Sequence, residues 1–256
     1  MRKLCIVGDR FSGLARHDGV STLSGFTRTL ASGALDDLDD HLLLVGGQGL
    51  GRYEWDHLAE AVSRRGLADR VSLSAGAEQL VRRGEAHKHR EDNILVHGLT
   101  RLSDQHFHAD LRVHNDNELL LDHQTGQHVQ GMVAVEASRQ MFLAVTERYF
   151  ASSWPQRHYY YVLNSLSTTF ENFLFPLTAS LDLTIEEADV TDPGRLSFTI
   201  RVEVHQAGRR CTVSEIGYTA FESAMVEHKE TKRAAATIET ILETHDGEWT
   251  MATAAA

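Results

Sequence analysis

The hydrophobic pattern of this chain changes character part-way along. Residues 4–7 form a short apolar run that stops at Gly8, which predicts a first buried strand. Residues 25–34 have weak helical character, and 41–45 form a second apolar run ending at Gly46 and Gly47. Trp55, Leu58, Ala59 and Val62 recur at helical spacing over 55–65, Gly66 caps that helix, and 71–74 reads as the next strand. Strand, glycine turn, helix and strand in that order make a crossover unit, so a small parallel sheet is expected. Residues 78–92 (EQLVRRGEAHKHRED) are charged and poorly periodic, as a linker or an exposed helix would be.

After residue 93 the period shortens to two. Residues 93–102 and 105–114 alternate around Ser103 and Asp104 like a hairpin. A long helix over 132–150 interrupts, ending near Trp154 and Pro155. Strands are then expected over 160–167, 170–175, 179–187, 195–205 and 209–221, with turns at Pro193-Gly194 and Ala207-Gly208. One long helix set early among long antiparallel strands is the hotdog arrangement, in which the sheet wraps the helix. The expected class is therefore α+β: a small α/β, Rossmann-like lobe over 1–85, a hotdog domain over 86–230, and a tail over 231–256. Residues 246–256 are small and polar and are expected to be disordered.

Composition narrows the function classes. With 256 residues and 42% hydrophobic content the chain can fill a core, yet it contains no apolar run of about eighteen residues that would span a membrane. The apolar start is broken at Asp9 and Arg10, which reads as a strand rather than a signal peptide. Cys5 and Cys211 match no metal-ligand spacing, so a reduced, cytoplasmic protein is expected. A net charge of −11 disfavours a nucleic-acid partner. The 15 histidines are scattered, with His87, His89, His106, His108 and His158 expected to face solvent, and no metal site is expected. The turn at 46–51 (GGQGLG) lacks the GxGxxG register and a Walker lysine, so it reads as a flexible turn rather than a nucleotide site. No cofactor is expected.

The chemistry concentrates in residues 122–140 (DHQTGQHVQGMVAVEASRQ). The helix here has little polar face and should be buried. Glu136, Arg139 and Gln140 sit in that apolar surround at spacings that let a carboxylate and a guanidinium meet. Burying such charges costs several kcal/mol, on the order of magnitude given for unpaired ions, unless they are paired. A structural ion pair at a subunit interface is one reading. The other is catalytic: a buried carboxylate is expected to have a raised pKa and to act as acid or base. His123, Gly126, His128 and Gly131 form a glycine-punctuated turn into the helix N-terminus, where amides and dipole can hold a thioester carbonyl as it gains charge. His123 and His128 are each open to a structural or a proton-transfer role. Gly126, Gly131, Met132 and Gln140 are the candidate substrate-binding residues.

This stretch resembles the A-factor biosynthesis hotdog family of actinobacteria, whose members lead a His-Val-Pro-Gly turn into a helix bearing Glu-Ala-x-Arg-Gln. Here Gln130 stands where proline is usual, and the resemblance extends over about 93–221. The resemblance implies an acyltransferase of secondary metabolism that joins a β-ketoacyl group, delivered on an acyl carrier protein or coenzyme A, to dihydroxyacetone phosphate. Carried over, Glu136 is the base and Arg139 its orienting or phosphate-binding partner. A more distant resemblance is to β-hydroxyacyl-thioester dehydratases, with His123 one residue out of register with their histidine. A dehydratase, a thioesterase and a non-catalytic acyl-binding or scaffold protein are the alternatives. Family members commonly carry two tandem hotdogs. One motif copy here implies a homodimer.

Overall fold

The computed structural model describes residues 1–74, 79–121 and 126–254. Its first part is a parallel sheet of β1 (Arg2–Val7), β2 (Val20–Thr22), β3 (Leu42–Gly46) and β4 (Val71–Ser74), in the order β2-β1-β3-β4. Helix α1 (Leu23–Ala31) joins β2 to β3, and α2 (Arg52–Arg64) joins β3 to β4. Both crossovers run the same way along the sheet, so right-handed connection puts both helices on one face. There Phe26, Leu30, Leu58 and Val62 close a core over Ile6, Leu42 and Leu44. Thr22 caps α1 by accepting from the Gly25 amide at 3.0 Å.

The second part is a six-stranded antiparallel sheet in the order β5-β6-β8-β9-β10-β7. Its strands are β5 (Val96–Arg101), β6 (His106–Leu111), β7 (Tyr159–Phe170), β8 (Ser180–Asp192), β9 (Arg195–Gln206) and β10 (Arg209–Glu222). They wrap α3 (Gly131–Tyr149), which buries residues on most of its surface, among them Val133, Ala137, Met141 and Val145. This is the hotdog fold with a parallel-sheet lobe before it. Tyr218 ties sheet to helix: its ring stacks on Phe142 at 4.2 Å and its hydroxyl meets Thr146 Oγ1 at 2.7 Å. Among the described residues strand β7 pairs only with β10, and it forms one end of the sheet.

The glycine-rich turn after β3 is not a flexible connection. Gln48 is buried; its Nε2 donates to Leu111 O (2.9 Å) and Leu177 O (3.1 Å), and its Oε1 accepts from the Val113 amide (2.6 Å). Gly49 has φ +88°, and a Cβ there would lie 2.7 Å from Gly8 Cα, so only glycine lets the two turns approach. The carboxyl ends of β1 and β3, where sheets of this kind usually bind ligands, are thus packed against the hotdog. Val7, Phe11 and Leu14 belong to the same core as α3.

Three further expectations change. Within 78–92, residues 81–92 form neither a free linker nor an exposed helix but a strap over α3, with Val81 and Ala86 buried. Residues 171–175 leave the sheet instead of forming a strand. The Glu171 and Asn172 amides both donate to Cys211 O (2.8 and 3.2 Å), beside the irregularity in β10 between Arg210 and Thr212. The tail is helical: α4 (Ser223–Ala254) starts in a stretch of strong helix formers without glycine or proline.

Candidate functional site

Helix α3 begins without a side-chain cap: Gln130 is in extended conformation and makes no capping hydrogen bond. The first amides of a helix lack the usual acceptor four residues back; here the Val133 amide donates to Gln130 O at 3.0 Å, so the end presents the Gly131 and Met132 amides and a positive dipole. It opens onto a cleft of about 520 Å³ between residues 128–134 and 170–174. The walls are mostly apolar, with Val129, Ala134, Phe170, Phe173 and Leu174 among them. Val129 is held in place by its amide donating to Leu174 O at 2.7 Å. A Cβ on Gly131 would lie 2.7 Å from Phe170 Cε1, so glycine at this position leaves the ring room beside the helix end.

His128 lines this cleft, its ring centroid 5.4 Å from that of Phe173. Of the polar groups at the far wall, Glu171 is held by Arg210 at 2.6 and 3.0 Å, and Asn172 Nδ2 donates to Arg210 O at 2.8 Å. Thr212 also lines the cleft and is 2% exposed; its Oγ1 has no hydrogen-bond partner among the described residues.

Glu136 faces elsewhere. It lies two residues past Ala134, about 200° around a helix of 3.6 residues per turn. There it meets Arg139 through two hydrogen bonds of 2.8 and 3.0 Å, Lys88 Nζ at 2.7 Å and Gln140 Nε2 at 3.1 Å. Burial pushes its carboxyl up, but the donors from Arg139, Lys88 and Gln140 outweigh it and the net shift is downward. This corrects the raised pKa expected from burial alone: Glu136 is ionised at neutral pH and is no proton donor there. The strap delivers Lys88, and also Glu85 to Arg148 (2.7 Å) and His87 to Glu147 (3.1 Å). His87 takes φ +51°, the left-handed conformation, in doing so.

The predicted residues therefore fall into separate places. His128 and Gly131 share the cleft; Glu136, Arg139 and Gln140 share the opposite side of α3. Gln140 is fully buried and bonds the Leu95 amide (2.8 Å) and Asn93 O (2.8 Å), which makes it a fastener of the chain leading into β5. Gly126, φ +58°, accepts from the Leu14 amide and packs on Arg10 O, against the N-terminal lobe rather than in the cleft. The Met132 side chain is exposed. His123 lies outside the described residues. Of the histidines expected to face solvent, His87 is exposed and also meets Glu147, while His108 is half-buried and meets Asp182 (2.7 Å). Sequence reasoning missed Lys88, which carries no local signal inside a charged run. It also missed Thr212, which only the alternation of buried positions along β10 could have marked as inward-facing. Among the described residues no cluster of His, Cys, Asp and Glu is placed to hold a metal, and no helix is long and apolar enough to cross a membrane.

The model of the A-factor biosynthesis hotdog domain (AfsA) matches residues 71–222. No curated protein matches the chain. Among solved structures, similar ones include a mutant thioesterase from Pseudomonas aeruginosa (12% identity, 50% of this chain and 81% of that one, TM-score 0.37). Others are AziG of S. sahachiroi (17% identity, 48% and 90%, TM-score 0.35) and a protein from Helicobacter felis (15% identity, 55% and 89%, TM-score 0.38).

Proposed function

The chain belongs to the A-factor biosynthesis hotdog family, and from that premise we propose that it is an acyltransferase acting on β-ketoacyl thioesters carried by an acyl carrier protein or coenzyme A. The observation that carries this reading is the uncapped N-terminus of α3 opening onto an apolar cleft. The apolar walls suit an acyl chain, and the helix end suits the carbonyl oxygen as it becomes negative.

In the transfer, the acceptor hydroxyl forms a new C–O bond to the acyl carbon, the C–S bond breaks, and the hydroxyl proton ends on the departing thiolate. An ionised Glu136 is suited to accept that proton in passage, with Arg139 and Lys88 holding the carboxylate in one orientation. A dehydratase that needs the helix carboxylate as a proton donor is less compatible with the lowered pKa.

Within one chain Glu136 and the cleft lie on opposite sides of α3, which favours a homodimer in which one subunit's carboxylate serves the other's cleft. The unpaired side of β7, with Leu163 and Leu166 exposed along it, is a suitable surface for that pairing.

The test incubates the protein with a β-ketoacyl carrier thioester and dihydroxyacetone phosphate and weighs the products. Ester formation supports the transferase; free acid alone, or enoyl thioester, rejects it. Glu136→Gln should abolish turnover and keep the fold. Mixing that variant with an inactive Gly131→Leu protein should restore activity in heterodimers, and no restoration rejects the shared site.

A further inference from the structure

The Thr212 hydroxyl is the unusual group in the cleft. A buried hydroxyl without a partner forfeits its hydrogen bonds to water and gains none in return, which is why nearly all such groups are paired. Its neighbours do not share this condition. Ser214, the next inward position on β10, meets Thr168 Oγ1 at 2.9 Å. Thr146 and Tyr218 satisfy one another, and Glu171 and Asn172 are engaged as described.

Its position also points to a ligand. Thr212 is directly opposite Phe170 across the β10–β7 pair. Phe170 in turn has its ring against Gly131 at the start of α3. Thr212 and the helix end therefore flank one aromatic side chain, and all three line one cleft. A carbonyl held at the helix end would bring the adjoining carbons of its chain along the Phe170 ring toward Thr212.

Resting on the acyl-thioester reading above, we propose that Thr212 is a specificity-determining residue whose hydroxyl hydrogen-bonds an oxygen on the acyl chain close to the thioester carbonyl. A hydroxyl can donate to an oxo group and can donate to or accept from a hydroxyl group. The site thus favours oxygen-bearing acyl chains over saturated ones of the same length. A saturated chain leaves the hydroxyl unpaired in the complex as well, and sites built to bond a substrate oxygen discriminate against analogues that lack it.

The experiment uses the full-length protein and non-hydrolysable carba analogues of butyryl, β-hydroxybutyryl and acetoacetyl pantetheine thioesters, with affinities from calorimetry. The wild type should bind at least one oxygenated analogue about tenfold more tightly than the butyryl one, the size of one well-placed hydrogen bond. Thr212→Val, which keeps the shape and removes the hydroxyl, should erase that preference and leave butyryl binding unchanged or improved. Thr212→Ser should retain it. Equal loss for all analogues in Thr212→Val would show a merely structural residue and overturn the proposal. So would a wild type that binds the analogues without preference. If no analogue binds at all, the acyl-thioester reading fails and takes this proposal with it.

Discussion

Lys88 Nζ lies 2.7 Å from Glu136 Oε1, which joins the strap before β5 to the middle of α3. With Arg139 bonding both carboxylate oxygens, Glu136 is held by two cations. Lys88→Met should move the Glu136 pKa up toward its ordinary value, measured by NMR titration of the side-chain carboxyl. Both groups keep some contact with solvent, so the stability cost should be only about 1 kcal/mol.

The same carboxyl gives stability a defined pH dependence. Its folded pKa lies below the ordinary value of 4.5. Its contribution is therefore complete above about pH 4.5 and is lost as pH falls through the folded value. Urea unfolding of wild type and Glu136→Gln should differ by about 1–3 kcal/mol at neutral pH, less than for a fully buried pair. The gap should narrow below about pH 4. A gap independent of pH would show that the loss is one of packing.

Gly131→Ala should crowd the Phe170 ring, because the new Cβ starts 2.7 Å from Cε1. Phe170 is 54% exposed and its ring can swing aside, so the stability cost should stay below about 1 kcal/mol, while the narrowed cleft should bind acyl ligands more weakly. Adding Phe170→Leu should recover part of that binding, measured by calorimetry with an acyl ligand analogue.

Gln48→Ala removes both donors and the acceptor that join the β3 turn to the hotdog. Leaving buried backbone groups unpaired should cost about 2–4 kcal/mol in chemical denaturation. Hydrogen exchange should show the Val113 amide losing its protection first.

The hairpin between β9 and β10 turns on Ala207 (φ +49°) and Gly208 (φ +74°), a turn that favours Asn-Gly. Ala207→Asn should relieve the left-handed alanine and stabilise the protein by about 0.5–1 kcal/mol. A differential scan should show Tm rising by about 1–4 °C.

The amino-acid sequence by itself determined the fold class and the elements that carry it. The apolar positions of α3 lack a polar face, so the helix had to be enclosed, and the two-residue alternation of β8, β9 and β10 supplied the sheet to enclose it. It also marked Glu136 and Arg139, because charges in an apolar run need a partner and a spacing of three supplies one.

Only the tertiary structure decided how these parts meet. It turned the glycine-rich loop into a junction, since Gln48 finds its partners at Leu111, Val113 and Leu177, far away in the chain. It lowered rather than raised the Glu136 pKa, because Arg139 is joined at the carboxylate by Lys88, which arrives on a strap with no periodic pattern, and by Gln140. It separated Glu136 from His128 and Gly131, which sequence proximity had grouped together, and it set Thr212 beside Phe170 in the cleft. Local patterns record which face a residue turns inward. The identity of what it meets there depends on contacts between distant segments, and those exist only once the chain has folded.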